Sequence, residues 1–115
     1  MLPVELSRQQ QADQAELVLL IDADLFWFQG HFPAQPILPG VAQLDWVMHY
    51  GIALLAPGKQ FSAIENIKFQ QPIQPGKTLR LTLSWQDAKN WLLFDYHILD
   101  GEQPLRASSG KIALC

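Results

Sequence analysis

The sequence predicts an α+β domain in which one long helix is wrapped by a single curved, mostly antiparallel sheet. Three observations carry this reading. The stretch Val41 to Ala56 has no proline and is apolar around almost its whole circumference. An element of that kind belongs inside a core rather than on a surface. Two later segments alternate apolar and polar residues with the two-residue period of a half-buried strand. Proline and glycine fall between these segments rather than within them, at Pro39-Gly40, Pro57-Gly58 and Pro75-Gly76.

The elements follow in order. Ala15 to Asp22 (AELVLLID) reads as a first strand bounded by polar residues, and Met1 to Gln14 before it is polar and glutamine-rich. Leu25 to Phe28 continues with aromatics. Pro33, Pro36 and Pro39 then keep the chain extended or turning, since proline is excluded from a helix interior. The helix runs from Val41 to the Pro57-Gly58 stop. Asp45 and His49, four apart, are its polar exceptions and share one stripe with Ala42 and Ile52. Phe61 to Phe69 reads as a strand, closed by Gln71-Pro72 and Pro75-Gly76. Thr78 to Gln86 puts Leu79, Leu81, Leu83 and Trp85 on one face, and Trp91 to Leu99 puts Leu92, Phe94, Tyr96 and Ile98 on one face. Asp100-Gly101 marks a turn before a last strand, Leu105 to Leu114. A sheet with an exposed edge offers a place for a second subunit.

Length and composition agree with one globular domain spanning residues 1–115: 49% of residues are hydrophobic and 17% charged. Cys115 is the sole cysteine, so no internal disulfide and no Cys/His zinc cluster is expected. A reducing, cytoplasmic location follows, with no secretory signal or membrane span in view. The net charge of −3 is uneven, the basic residue Arg8 standing alone against the acidic residues of positions 1–50. No basic run interleaves with aromatics, which argues against nucleic-acid binding. Cationic side chains in the second half suit an acidic protein partner or simple solvation equally.

The segment His31 to Asp45, HFPAQPILPGVAQLD, concentrates the chemistry. It places a histidine before a proline-stiffened loop, a glycine at a helix start, and a carboxylate just over one turn into the helix. His31 titrates nearest neutrality and suits a general base. The Gly40 and Val41 amides lie at a helix N-terminus, where unpaired N–H groups can stabilise an oxyanion. Asp45 stands among apolar neighbours, and desolvation there would favour the protonated acid.

This segment resembles the active-site segment of the hot-dog-fold 3-hydroxyacyl-[acyl-carrier-protein] dehydratases of type II fatty acid synthesis. Their pattern is roughly HFP-x-x-P-x-x-PG-V-x-x-x-(E/D), and each element falls at the same spacing here. IKFQQPIQPG, from Ile67 to Gly76, resembles the family's strand and turn after the central helix. The likeness covers most of residues 15–114 and implies a hot-dog fold. It implies a reaction as well, the dehydration of a 3-hydroxyacyl thioester carried on acyl carrier protein. In that reaction His31 removes the proton beside the thioester and the Gly40 amide polarises the carbonyl. Protonated Asp45 helps the hydroxyl leave, and the Ile37 carbonyl orients the imidazole. The resemblance further implies a homodimer whose sites pair His31 of one subunit with Asp45 of the other, and no metal or organic cofactor. His49 stands where the family usually has a glutamine, within reach of Asp45. The chain is similar to the small dehydratases of aryl-polyene gene clusters.

Other residues take plainer readings. His97 reads as structural or exposed, Cys115 as inert, and Trp27, Trp46, Trp85 and Trp91 as core and dimer packing. Phe26, Phe28 and Phe32 suit either an acyl tunnel or the core. A hot-dog thioesterase and a non-catalytic acyl-binding subunit are the competing functions, because a fold does not set its chemistry. Isomerisation of the new double bond, as in the decanoyl-type branch, also stays open.

Overall fold

Leucines alternate with polar residues along Thr78–Gln86, and this segment lies in the middle of the sheet. In the computed structural model, which describes residues 2–22 and 37–115, the strands are β1 (Val4–Gln10), β2 (Gln14–Leu20), β3 (Phe61–Phe69), β4 (Thr78–Gln86), β5 (Trp91–Ile98) and β6 (Leu105–Leu114). One helix, α1 (Gly40–Leu55), separates β2 from β3. The sheet order is β1-β2-β4-β5-β6-β3, and every pairing is antiparallel. Trp27, Phe26, Phe28, Phe32 and His31, with Pro33 and Pro36, lie outside the described residues.

The alternation decides which face is buried. Leu79, Leu81, Leu83 and Trp85 of β4 point to the helix side with Leu17 and Leu19 of β2 and Leu92, Phe94 and Tyr96 of β5. Each apolar side chain removed from water contributes about 1.5–3 kcal/mol, so this layer is the main reason the sheet curls onto α1. From the helix, Ala42, Trp46, Val47, Tyr50 and Leu55 fill the same core. Gly51 lets α1 approach β5 closely, since a Cβ there would stand 2.4 Å from a Leu92 methyl carbon. The helix ends at Ala56, whose φ of −139° leaves the helical region as the following proline requires.

Two expectations need correction. The polar stretch before Ala15 contains a strand, β1, so the described sheet has six strands rather than the five expected. All seven β1 residues are exposed, so the stretch carries no apolar alternation to betray it. It is extended because it pairs with the otherwise open edge of β2. The helix, moreover, is not covered on all sides. Val41 is 64% exposed, Asp45, His49 and Ala53 are also exposed, and Leu44, Met48 and Ile52 are half-buried. The sheet covers one side of α1, and Ala42, expected on the Asp45 stripe, faces the core. Edge strand β3 is similarly bare, with Phe61, Ile64 and Phe69 among its exposed residues.

Candidate active site

A proline begins α1. Pro39 is the N-cap residue, extended at φ −63° and ψ 151°, and offers no side-chain acceptor to the first turn. Serine or aspartate in that place would occupy one of the free helix amides. Here the Pro39 carbonyl accepts from the Ala42 and Gln43 amides at 3.1 and 3.2 Å. The Gly40 and Val41 amides, ahead of the first helical bonds, have no partner among the described residues. No acidic side chain lies in the first turn to neutralise them.

Gly40 borders a groove of about 290 Å³ lined by Ile37, Leu38, Pro39 and Gly40 on one side and Phe69 to Pro72 on the other. The Phe69 ring lies across Gly40, where a Cβ would stand 2.7 Å from the ring Cζ. Glycine at this position therefore gives the ring its seat. Gln70 and Gln71 donate their amides to the Ala107 carbonyl at 2.8 and 3.1 Å, which fixes the groove's far wall to β6. The groove thus joins an apolar wall to a free donor at Gly40, the combination that an acyl thioester carbonyl requires.

The structure brings Ile37 and Gly40 together at this groove, whereas Val41 is not among its lining residues and stands 64% exposed at the helix start. Asp45 and His49 instead line a second, open hollow with Met48, Ile52 and Ala53 on the bare side of the helix. The burial expected for Asp45 is absent within the chain, because only the opposite side of α1 meets the sheet. His49 is not hydrogen-bonded to Asp45, and its ring stands edge-on to Tyr50 at 5.1 Å between centroids. His31 lies outside the described residues.

Sequence reasoning passed over a buried polar cluster beneath the groove. Gln43 is 4% exposed. Its Nε2 donates to the Leu38 carbonyl at 3.3 Å, and its Oε1 accepts from the Ser108 hydroxyl at 2.7 Å. Its main-chain carbonyl accepts from the Tyr96 hydroxyl, also at 2.7 Å. Burial, followed by the nearby Tyr50 and Asp45, pushes the Tyr96 pKa well up, so the phenol keeps its proton. The signal for Gln43 was present: helical spacing puts it on the stripe of Trp46, Val47 and Tyr50, where a polar residue has to find partners.

Elsewhere the side chains serve the sheet. Trp46 and Trp85 are buried in the core, whereas Trp91 packs under the Lys89 and Lys111 ammonium groups, 4.7 and 3.8 Å from its ring centroid. His97 is half-buried on the polar face, its pKa lowered by burial and by Arg80, with Asp95 opposing and Arg106 adding to the shift. Among the described residues no group of three His, Cys, Asp or Glu side chains could hold a metal ion, and no helix is long and apolar enough to cross a membrane.

Comparison with known proteins places this geometry in a family. The family model described as ApeI-like, ApeI dehydratase, matches residues 7–111. The 3-hydroxyacyl-[acyl-carrier-protein] dehydratase FabZ of Roseiflexus castenholzii is 38% identical over 85 residues, 68% of this chain and 57% of that protein. FabZ of Fusobacterium nucleatum is 45% identical over 58 residues, 46% of this chain and 41% of that protein. The chain therefore matches roughly half the length of these curated relatives. Among solved structures, the dehydratase heterocomplex ApeI:P from Xenorhabdus doucetiae aligns with a TM-score of 0.93 at 52% identity, covering 100% of this chain and 99% of that one. An uncharacterized protein from Erwinia carotovora subsp. atroseptica aligns at 0.94 and 61% identity, covering 100% and 97%. The dehydratase domain of the polyketide PpsC from Mycobacterium tuberculosis, at 16% identity and a TM-score of 0.76, shares the fold alone. With its hot-dog fold and a family match running from β1 into β6, the chain belongs to the ApeI-like dehydratase family.

Proposed function

We propose that the protein dehydrates 3-hydroxyacyl thioesters on acyl carrier protein to trans-2-enoyl thioesters, in chain building of the fatty acid or aryl polyene type. The observation that carries this is the free Gly40 amide beside an apolar groove, at the head of a helix that also presents Asp45. The thioester carbonyl accepts from the Gly40 amide. His31, oriented by the Ile37 carbonyl, takes the proton from the carbon next to the thioester. The resulting enolate-like charge rests on the same amide. Protonated Asp45 gives its proton to the 3-hydroxyl, the carbon–oxygen bond breaks, and water leaves as the double bond forms. General acid–base help is worth about 10²–10⁴-fold and one oxyanion donor about 10²–10³-fold. His49 lies one turn further along α1, beside the same hollow as Asp45. No metal or organic cofactor enters this scheme, and its carrier-bound substrate places the reaction in the cytoplasm.

Asp45 is exposed within the chain, so its acid role needs a second surface to desolvate it. A homodimer built on the bare side of α1 and the edge of β3 would provide one, and would share each site between subunits. Val41, Phe61, Ile64 and Phe69 are the exposed apolar residues that favour it. The Xenorhabdus relative is a heterocomplex, which makes a related second subunit the other candidate for this face. Light scattering of the purified protein separates these: a stable, active monomer would end the shared-site reading.

The reaction itself is tested by mass spectrometry of 3-hydroxyacyl carrier protein incubated with the wild type and with His31→Ala. Loss of one water, absent in the variant, is the expected result. Release of free acid would identify a thioesterase instead, and an unchanged acyl chain would point to an acyl-binding subunit.

A further inference from the structure

We infer that Gln43 is a positioning residue, whose buried side-chain amide holds the peptide just before the one that carries the Gly40 N–H and so helps to set that N–H in its working orientation. The inference rests on the dehydratase reading for its consequence and on hydrogen-bond geometry for its substance. The Pro39 carbonyl and the Gly40 N–H belong to one planar peptide unit, so aiming one aims the other. The Pro39 carbonyl is held from inside the helix by the Ala42 and Gln43 amides. Upstream, the Pro39 ring locks φ at −63°. The orientation of the preceding peptide is then set at the Leu38 carbonyl, and Gln43 Nε2 donates to it. The Leu38 amide donates to the Ile73 carbonyl at 2.7 Å, so Leu38 is held at both ends.

Gln43 is itself anchored to the sheet. Ser108 of β6 donates to its side chain and Tyr96 of β5 to its main chain, and neither Ser108 nor Tyr96 is exposed. The chain therefore runs from the sheet floor through one amide side chain to the residue just before the oxyanion donors. Stability alone would favour an apolar side chain here, as at the neighbouring Trp46 and Val47. An unmet buried polar group is costly, and a met one returns only a modest net gain. A misplacement of about 1 Å at a reacting group, by contrast, can cost roughly 10²-fold in rate.

The test uses the full chain carrying Gln43→Met with Ser108→Ala, which keeps the shape and removes the Gln43–Ser108 pair, leaving the Leu38 carbonyl without its side-chain donor. The variant should still fold, with a melting temperature lowered by several degrees, as one unmet buried carbonyl requires. For dehydration of 3-hydroxyacyl carrier protein, kcat should fall by about 10- to 10²-fold with KM changed less than about twofold. Nuclear magnetic relaxation should show the order parameters of the Gly40 and Val41 amides falling from about 0.85 toward 0.6. A double variant with wild-type kcat and unchanged order parameters would overturn the inference and leave Gln43 as packing. If the wild type itself fails to dehydrate, the functional reading falls by its own result, and the order parameters still decide the positioning claim. Should the double variant not fold, Ser108→Ala alone must loosen the same two amides to a smaller degree; no change there also overturns it.

Discussion

The ring of Phe69 rests on Gly40, so close that a Cβ built on the glycine would stand 2.7 Å from the ring Cζ and 3.1 Å from Cε1. An edge-strand aromatic and the first residue of α1 thus meet in the lining of the groove. Gly40→Ala should push the ring aside. Within one subunit Phe69 is 54% exposed, so the ring can move at small cost to that subunit's fold, and alanine is the better helix former. Stability should therefore change by less than about 1 kcal/mol. Dehydration should drop by at least about tenfold, because the donor and the groove wall shift together. Phe69→Ala added to Gly40→Ala should recover part of that loss, as measured by kcat. Equal activity of Gly40→Ala and wild type would remove the amide from the mechanism.

Gly51→Ala should behave in the opposite way, damaging stability first. The added Cβ would meet the Leu92 methyl carbons at 2.4 and 3.0 Å, and Leu92 has no exposed surface into which to retreat. Overpacking of this kind costs about 1–3 kcal/mol, against about 1 kcal/mol of helix propensity gained. Chemical denaturation should show a net loss, reduced when Leu92→Val is introduced alongside. A stabilised Gly51→Ala would mean that α1 does not press on β5 as described.

Asp45→Asn isolates the acid. Asparagine matches aspartate in shape and a protonated acid in charge, so the substitution should leave the melting temperature nearly unchanged. An amide cannot hand a proton to the departing hydroxyl, and turnover should fall by about 10²–10⁴-fold. Substrate binding, followed by titration with a non-reacting acyl carrier protein, should persist. Near-normal dehydration by Asp45→Asn would assign the acid role elsewhere, His49 being the nearest alternative.

The pH dependence of stability has a contribution at His97. Burial, then the Arg80 charge, lowers its pKa from the ordinary 6.5, and its Nδ1 is buried without a hydrogen-bond partner. A histidine whose folded pKa is depressed binds its proton more readily in the unfolded chain. Its contribution is therefore constant above pH 6.5 and is lost as the pH falls from there through the depressed folded value. Melting temperatures should decline below that pH in the wild type and decline less in His97→Gln. Parallel curves for the two proteins would exclude His97 as the source.

Much of the fold was legible locally, because a half-buried strand and a core helix write their periods into neighbouring residues. Thr78–Gln86 and Leu105–Leu114 have the ends read from alternation and turn signals, and α1 differs from its expected span by one residue at each end. The motif from His31 to Asp45 was likewise local, since a proline-stiffened loop, a glycine and one helical turn lie within a single stretch of chain. Strand β1 was not legible, because an edge strand exposed on both faces has no apolar pattern and is extended only by its pairing with β2. Tertiary structure alone decided which side of an almost wholly apolar helix meets the sheet, leaving Asp45 and Val41 outward and Gln43 inward. It also decided the partners of Gln43: Tyr96 is 53 residues away and Ser108 65. Contacts over such separations depend on how β5 and β6 register against one another beneath the helix, and no periodicity within any one segment encodes that register.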